Sequence, residues 1–416
     1  MEKKKVIILI GSLCLILILA IMPFMAAYPN PATAVEKRSP IVLGIMAALT
    51  GTFANMGLSF ERGFTVWVEK TNQEGGIRKH PVKYYFYDSQ SDPTKAVLAL
   101  KKLIETSNVH AVIGPNTTAE ALAMAPVAEK AGVSLLSLSG SEVFEQKGFK
   151  YSFRPNISSG AHLGRVVAKV IRDIGSSKVA VLYDNTAWGK SILAIFEKEH
   201  VKDFGLEIVC KGGYDPDATE FGPQLSLIKA SGAEFIFNTG VSLAGGLAIK
   251  QAREMGIKLP IITFAGLAAP EIISVQAILN AYCQEPGVYV TALKCDIWSE
   301  LSKDDPVRIF VQKWAPTIES RYNIKLRDGE WRGVAYPELL RNAYERLLDE
   351  DPNIVGSGDL AKIRSRLRDK IETTKHFMNG IGFFTFSPTD HCGYEPESGA
   401  ALTQWGSDRK LHYIGK

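Results

Sequence analysis

Residues 109–144, VHAVIGPNTTAEALAMAPVAEKAGVSLLSLSGSEVF, read as strand, tight turn, helix, strand, tight turn and the start of a second helix. The short apolar run 110–113 stops at Gly114-Pro115, and Asn116-Thr117-Thr118 leads into an alanine-rich apolar pattern over 119–130. Gly132 ends that helix as a left-handed C-terminal glycine does. Residues 133–138 form the next buried strand, closed by Ser139-Gly140-Ser141. Thr117-x-x-Glu120 and Ser139-x-x-Glu142 both have the capping-box spacing. Two neighbouring strands thus each end in hydroxyls and open amides at a helix N-terminus. The first amides of a helix lack intrahelical partners and sit at the positive end of its dipole, which suits a small anion. In an open α/β sheet, ligands bind beyond the carboxyl ends of the strands. Thr118 and Ser141 could add hydroxyl donors to a bound carboxylate. Taken alone, the same residues serve equally well as ordinary N-caps, where Ser and Thr are common.

Working outward, the 416 residues are 46% hydrophobic and 22% charged, an ordinary globular composition. That length suggests two domains. A net charge of +4 is small for this size, and with no basic stripe carrying interleaved aromatics no nucleic-acid partner is expected. Residues 1–5 are a basic lead, 6–22 are almost wholly apolar, and Ala32-Thr33-Ala34 is a small-x-small cleavage signal. A signal peptide over 1–34 with a mature start at Val35 follows. The alternative is an uncleaved anchor, since the apolar run to Met25 is just long enough to span a bilayer with the lysines inside. Either way the body of the protein is expected outside the cytoplasmic membrane.

Cys210, Cys283, Cys295 and Cys392 remain after cleavage and could pair in an oxidising compartment. Cys283 and Cys295 flank an expected strand at 287–293, whose extended ends are too far apart for a bridge. No C-x-x-C is present, so neither a zinc site nor a dithiol redox motif is indicated.

Residues 41–48 read as a buried strand and 59–72 as a helix with Phe60, Phe64, Trp67 and Val68 on one face. A strand at 82–88 and a helix at 94–106, opened by Pro93, precede the stretch quoted above. Residues 149–157 interrupt the rhythm, and 178–199 restart it with strand, loop and helix. Strands at 206–210, 235–238 and 259–264 alternate with helices at 219–230 and 243–255. Such alternation means a mostly parallel sheet covered on both faces. Two lobes of similar pattern, joined by crossing segments, place a cleft between them. The strand at 287–293 reads as a return to the first lobe, followed by helices at 306–322, 335–349 and 360–373.

At this point the chain resembles the Leu/Ile/Val-binding family of solute-binding proteins, which serve ABC transporters of the branched-chain amino acid type. The matching pieces are IVLGIMAALTGTFANMG, NQEGGI, YDSQSDPTKAV, VIGPNTTAEALAMAPVAEKAGV, YSFRPNI, VAVLYDNTAWG, DATEFGPQLSLIKASGAEFIF and FSPTDHCG. Their order and spacing carry the match, which extends over nearly all of the chain after the signal. The resemblance implies an α/β fold of the type I periplasmic-binding class. Two doubly wound lobes are joined by three crossover strands, and an interlobe cleft closes on ligand by hinge motion. It places the crossovers near Asn156, Thr291 and Gly380. The first lobe is then 40–156 plus 292–380, and the second 157–291 plus 381–416. It further implies a small-molecule ligand, a membrane permease as partner, a monomer, and no cofactor or metal.

The resemblance also assigns a pocket. Thr117 and Thr118, with Ser139, Gly140 and Ser141, match the groups that hold the ligand carboxylate. Trp188 matches an aromatic in the loop before a second-lobe helix, and Trp331 an aromatic from the late first-lobe helix. Three positions depart from the amino-acid-binding pattern. Met56 and Val241 stand where tyrosines are expected, and Ala265 where the acid that pairs with the ligand ammonium is expected. A buried ammonium without a counter-charge is costly. The expected ligand is therefore a small carboxylate with an apolar or aromatic body and no ammonium, walled by Phe53, Met56, Trp188, Val241, Phe264, Ala265 and Trp331. The alternative is an amino acid whose ammonium finds Asp184, or the ring of Trp188.

Catalytic motifs do not emerge from the sequence. There is no G-x-S-x-G, H-E-x-x-H or Walker loop, and Thr50-Gly51-Thr52-Phe53 is too poor in glycine to seat a pyrophosphate. Asp390-His391-Cys392 looks most catalytic, but neighbours in an extended strand point to opposite faces. A membrane-tethered ligand sensor of the same fold is the remaining rival, and no second apolar run of spanning length accompanies it.

Overall fold

The computed structural model describes residues 38–415 apart from 142, 143, 145, 146, 158, 396 and 397, so the expected leader at 1–34 lies outside the described residues. Buried strand β1 (Ile41–Ala47) pairs in parallel with β2 (Val82–Asp88) on one side and β3 (Ala111–Ile113) on the other. With β4 (Ser134–Leu136) and β5 (Ser152–Phe153) the first sheet runs β2-β1-β3-β4-β5. The second sheet repeats that order. Its parallel strands are β6 (Lys178–Asp184), β7 (Glu207–Tyr214), β8 (Phe235–Asn238), β9 (Ile261–Phe264) and β10 (Tyr289–Leu293), arranged β7-β6-β8-β9-β10. A two-stranded ribbon, β11 (Phe377–Met378) with β12 (Phe383–Phe384), lies apart. β13 (Ala400–Trp405) and β14 (Leu411–Gly415) then extend the second sheet antiparallel beyond β10.

Both sheets are doubly wound, and each reverses direction beside its first strand, between β1 and β3 in one and between β6 and β8 in the other. Those are the places where crossing helices diverge to opposite faces and leave a crevice. The protein is mixed α/β with two parallel-sheet lobes, the architecture that the resemblance implies.

The strand expected to return to the first lobe stays in the second sheet. β10 pairs with β9 in parallel and with β13 in antiparallel as far as Leu293. Two partners flank it through Thr291 and β13 alone through Leu293, so its backbone groups are satisfied by remaining in the second sheet. After β12, residues 384–394 stay against the first lobe: Phe386 meets Phe153 edge-on, His391 stacks on Phe153, and the Arg154 amide donates to the His391 carbonyl.

The helices that shape the cleft follow from local chemistry. Helix α1 (Ala54–Gln73) buries Phe60, Phe64, Trp67 and Val68. Helix α2 (Pro93–Thr106) starts with proline in its first turn and Asp92 capping the amides of Thr94 and Lys95. Helix α3 (Thr118–Ala131) has the full capping box of Thr117 and Glu120 and ends at Gly132 with φ of 61°. In the second lobe, helix α4 (Gly164–Asp173) follows the first crossing, and helix α5 (Ala187–Ile195) is capped by the Thr186 hydroxyl on the Gly189 amide. Helix α6 (Leu243–Glu254) follows β8, and helix α7 (Pro270–Ile273) lies on the cleft side of β9. The long helix α8 (Asp328–Glu350) crosses α1 at near backbone contact. A Cβ on Gly63 would stand 1.8 Å from the Glu330 carbonyl oxygen, and one on Gly333 2.2 Å from that of Phe60. Only glycine permits that approach, and it brings the first turn of α8 to the mouth of the cleft.

The four described cysteines form no disulfide. Cys295 is buried, and Cys392 takes part in hydrogen bonds with Arg154 and with the Asn156 carbonyl. His391 bonds to the Ser152 carbonyl and to Glu372, while Asp390 caps the amides of Cys392 and Gly393. The three residues serve the turn that rests on Phe153. Among the described residues no helix is long and apolar enough to cross a membrane, and no cluster of His, Cys, Asp and Glu could hold a metal.

Candidate ligand-binding site

A cavity of about 130 Å³ lies where the carboxyl ends of the two sheets face each other. Both switch points open into it. From the first lobe come Phe53 and Met56 after β1, and Asn116, Thr117 and Thr118 after β3. From the second come Thr186 and Trp188 after β6, and Val241 after β8. Phe264, Ala265 and Gly266 follow β9, and Thr291 and Leu293 belong to β10.

The two threonines divide their duties. Thr117 caps α3: its hydroxyl accepts from the Glu120 amide, and its own amide donates to the Glu120 carboxylate at 3.2 Å. Thr118 is the first residue of the helix. Its hydroxyl is buried, lines the cavity and has no hydrogen-bond partner. A buried hydroxyl left unpaired is unfavourable by about 1–3 kcal/mol, so a ligand acceptor placed there gains what the empty site lacks. The Ser139 hydroxyl is also buried and unpartnered, although its residue lies behind the cavity surface.

Gly140 lines the cavity and must be glycine. A Cβ there would lie 2.3 Å from the Ser159 hydroxyl and 3.1 Å from Trp188 Nε1. The close approach fastens the two lobes, because the Gly140 carbonyl also accepts from the Ser159 amide at 3.0 Å. Ser141 does not reach the cavity. Its hydroxyl meets that of Ser191 on α5 at 2.8 Å, a contact between lobes. Glu142, the expected capping-box partner of Ser139, lies outside the described residues.

The wall is apolar and aromatic. Trp188 stands edge-on to Phe264 with ring centres 5.4 Å apart, and Met56, Phe53 and Val241 complete it. Trp331 is not part of it. It is fully buried in the first lobe, where its indole donates to the Asn379 carbonyl at 2.9 Å and meets Phe310 edge-on. The residue that α8 does turn to the cavity is its neighbour Arg332, about 100° further round the helix.

Asp184 does not line the cavity either. It is buried beneath the first turn of α5, where one carboxylate oxygen accepts from the Thr186 amide and hydroxyl. Burial pushes its carboxyl above the usual range, against the opposing hydrogen bonds from Thr186 and Gly189. The acid that does face the cavity is Asp328, which sequence reasoning passed over together with Arg332. The two form a fork: Arg332 Nε donates to Asp328 Oδ1 at 2.8 Å and Nη2 to Oδ2 at 2.6 Å. Arg332 Nη1 donates to the Leu138 carbonyl at 2.7 Å. Burial alone would lower the guanidinium's pKa; the charge and hydrogen bonds of Asp328 more than offset this and hold it above its ordinary value. The wall thus contains one fixed ion pair and otherwise hydroxyls, amides and apolar groups.

The sequence profile of periplasmic binding proteins matches residues 40–409. The chain belongs to the periplasmic binding protein family. Among its relatives, Leu/Ile/Val-binding protein homolog 3 of Brucella melitensis biotype 1 is 27% identical over 233 residues, 56% of this chain. That match spans 62% of the relative's length. Leu/Ile/Val-binding protein homolog 2 of Brucella abortus is 24% identical over 387 residues, covering 90% of this chain and 94% of the relative. The crystal structure of an extracellular ligand-binding receptor from Rhodopseudomonas palustris HaA2 superposes with a TM-score of 0.80 at 20% identity, covering 91% of this chain and 100% of that one. This periplasmic binding protein shares the whole fold of that receptor.

Proposed function

We propose that this periplasmic binding protein is the solute-capturing component of a branched-chain-amino-acid-type ABC transporter. It acts outside the cytoplasmic membrane, closes its lobes on a ligand and presents the closed form to a membrane permease. Its ligand is a small carboxylate with an apolar or aromatic body and no ammonium group. It works as a monomer and binds without catalysis. The expected boundaries near Thr291 and Gly380 are moved: the first lobe is taken as 40–156 plus the chain from after Leu293 through residue 394, the second as the remainder from residue 157, hinged where the three segments cross.

The observation that carries this reading is the cavity's polar inventory. An unpartnered Thr118 hydroxyl stands at the N-terminus of α3, where open amides and the helix dipole favour an anion. Among the described residues the acids near it are already engaged: position 265 is alanine, Asp184 is buried behind α5, and Asp328, the one acid lining the cavity, is paired with Arg332 through both oxygens. An ammonium would enter an aromatic wall with no free counter-charge, at a cost of several kcal/mol of desolvation. A cavity of about 130 Å³ suits a single small molecule.

The names of the Brucella relatives favour a second reading, capture of leucine, isoleucine or valine. A thermal-shift screen of the mature protein separates the two. Benzoate, phenylalkanoates and short-chain fatty acids are set against branched-chain and polar amino acids. A ligand that binds only the folded state raises the melting temperature by mass action. The proposed reading expects shifts from the acids alone; a strong shift with leucine and none with any ammonium-free acid rejects it.

A further inference from the structure

We propose that Arg332, locked by Asp328 and the Leu138 carbonyl, supplies the positive charge that recognises the ligand's carboxylate. The inference rests on the reading above that the ligand is an anion. It adds a binding residue to the hydroxyls and amides of the α3 N-terminus.

The argument starts from donor arithmetic. A guanidinium has five N–H groups in a rigid plane. Three are committed in the structure, two to Asp328 and one to Leu138. Two remain on a residue that lines the cavity and whose side chain is 16% exposed. Asp328, itself 15% exposed, fixes the plane through two contacts, so little rotamer freedom is left to lose when a ligand arrives.

Position gives the second line. Arg332 holds the carbonyl of Leu138, the residue before Ser139, and Asn156 holds the carbonyls of Leu138 and Ser139, both at 3.1 Å. Tyr336, one turn further along α8, donates to the Ser137 carbonyl at 3.1 Å. The guanidinium is therefore anchored to the same loop whose Gly140 lines the cavity, at the end where β3 and β4 present their hydroxyls. The hydroxyls of Thr118 and Ser139 carry no charge and cannot by themselves distinguish a carboxylate from an amide of equal shape. A fixed cation with two open N–H groups can, because hydrogen bonds between ionised partners are about twice as strong as neutral ones.

The same arrangement explains why Asp328 does not act as the missing ammonium acceptor. Both of its oxygens already face Arg332, and an ammonium would have to compete with a bidentate guanidinium. The pair as a whole keeps two guanidinium N–H groups for a ligand and has its carboxylate already neutralised by a bidentate partner.

Calorimetry on the full mature chain tests this with isosteric probes: phenylacetate against phenylacetamide, and leucine against leucinamide. The wild type is expected to prefer the carboxylate of whichever pair it binds by about 10- to 100-fold. Arg332→Gln is expected to bring that ratio to within about threefold, the scale of neutral hydrogen bonds. Arg332→Lys, which keeps the charge but cannot hold Asp328 and Leu138 together, is expected to fall between. An Arg332→Gln protein that keeps the wild-type ratio overturns the inference. If that variant does not fold by circular dichroism, the double variant Arg332→Gln with Asp328→Asn, which leaves no stranded acid, overturns it instead by keeping the wild-type ratio. Binding of leucine but not phenylacetate by the wild type rejects the ammonium-free ligand, and the leucine/leucinamide ratio then still decides the role of Arg332. A wild type that binds no carboxylate of either pair rejects both.

Discussion

Replacing Arg62 with methionine tests the ion network that closes the cleft beside the cavity. Arg62 on α1 donates to Glu330 Oε1 from Nε at 3.1 Å and from Nη2 at 2.5 Å, and Nη2 also reaches Glu271 of the second lobe at 2.6 Å. Glu330 is fully buried, and its other hydrogen bond comes from the Arg327 amide at 3.2 Å. Burial pushes its carboxyl above the usual range, and Arg62 pulls it back. Without Arg62 the carboxylate is stranded, a loss of about 3–5 kcal/mol for a broken buried pair. The Glu271 end, with a quarter of its side chain exposed, adds at most about 1 kcal/mol. Glu330 can escape the penalty by taking up a proton, which sets a ceiling. From an unfolded pKa of about 4.3, protonation costs about 4 kcal/mol at pH near 7.5 and about 1 kcal/mol at pH near 5. A carboxyl whose folded pKa is raised contributes stability below its unfolded pKa and loses it as pH rises through the folded one. The variant should therefore differ most from wild type in neutral solution and converge with it in acid. Urea denaturation at both pH values should give a loss of about 3–4 kcal/mol near pH 7.5, shrinking to about 1 kcal/mol near pH 5. Arg62→Met with Glu330→Gln should recover most of it, since removing both partners leaves no buried charge. A loss that does not change with pH, or no recovery in the double variant, would refute the reasoning.

Thr118→Val should weaken carboxylate binding by about 1–3 kcal/mol through the lost hydroxyl, with the melting temperature of the empty protein held or raised because an orphan is removed; unchanged affinity in calorimetry takes Thr118 out of the site. Ala265→Glu places an anion in the cavity wall and should lower the affinity for phenylacetate-type acids; intact binding would mean position 265 does not face the ligand. Gly140→Ala drives a Cβ to 2.3 Å from the Ser159 hydroxyl and toward Trp188. It should lower ligand affinity more than it lowers the unfolding midpoint of the empty protein, which is checked by comparing thermal shifts with and without ligand.

The positions nearest the strand ends were legible from sequence because the fold dictates them. A doubly wound sheet presents its first and third strand ends at the switch point, and strand ends are marked by glycine, proline and capping residues. That logic leads from 109–144 to Thr118, and the resemblance adds Thr117, Gly140, Trp188 and Val241; all of them line the cavity. It gives no purchase on α8. Asp328 and Arg332 are an i, i+4 pair in a first helical turn, a spacing that usually denotes a solvated surface ion pair. Nothing in their spacing reveals that a glycine crossing at Gly63 and Gly333 carries that turn to the cleft. The assignment of Trp331 fails for the same reason: one residue of register on a helix separates a core indole from a cavity-facing guanidinium.

The extent of β10 was illegible on different grounds. A run of alternating apolar residues announces a strand but not its partners, and 287–293 could satisfy its backbone in either lobe. The deciding partner is β13, more than a hundred residues later, whose antiparallel pairing holds β10 in the second sheet through Leu293. This pairing bears on closure. β13 is reached only after residues 384–394 have packed on Phe153, so the third crossing is braced against the first lobe before it joins the second. In the proposed closure, motion between lobes would fall to the few residues that leave β5, β10 and the 384–394 turn. Such short, separately anchored crossings permit rotation about a common axis and resist sliding, which is what a clamp needs if Gly140 and Ser159, and Arg62 and Glu271, are to meet again in register each time it closes.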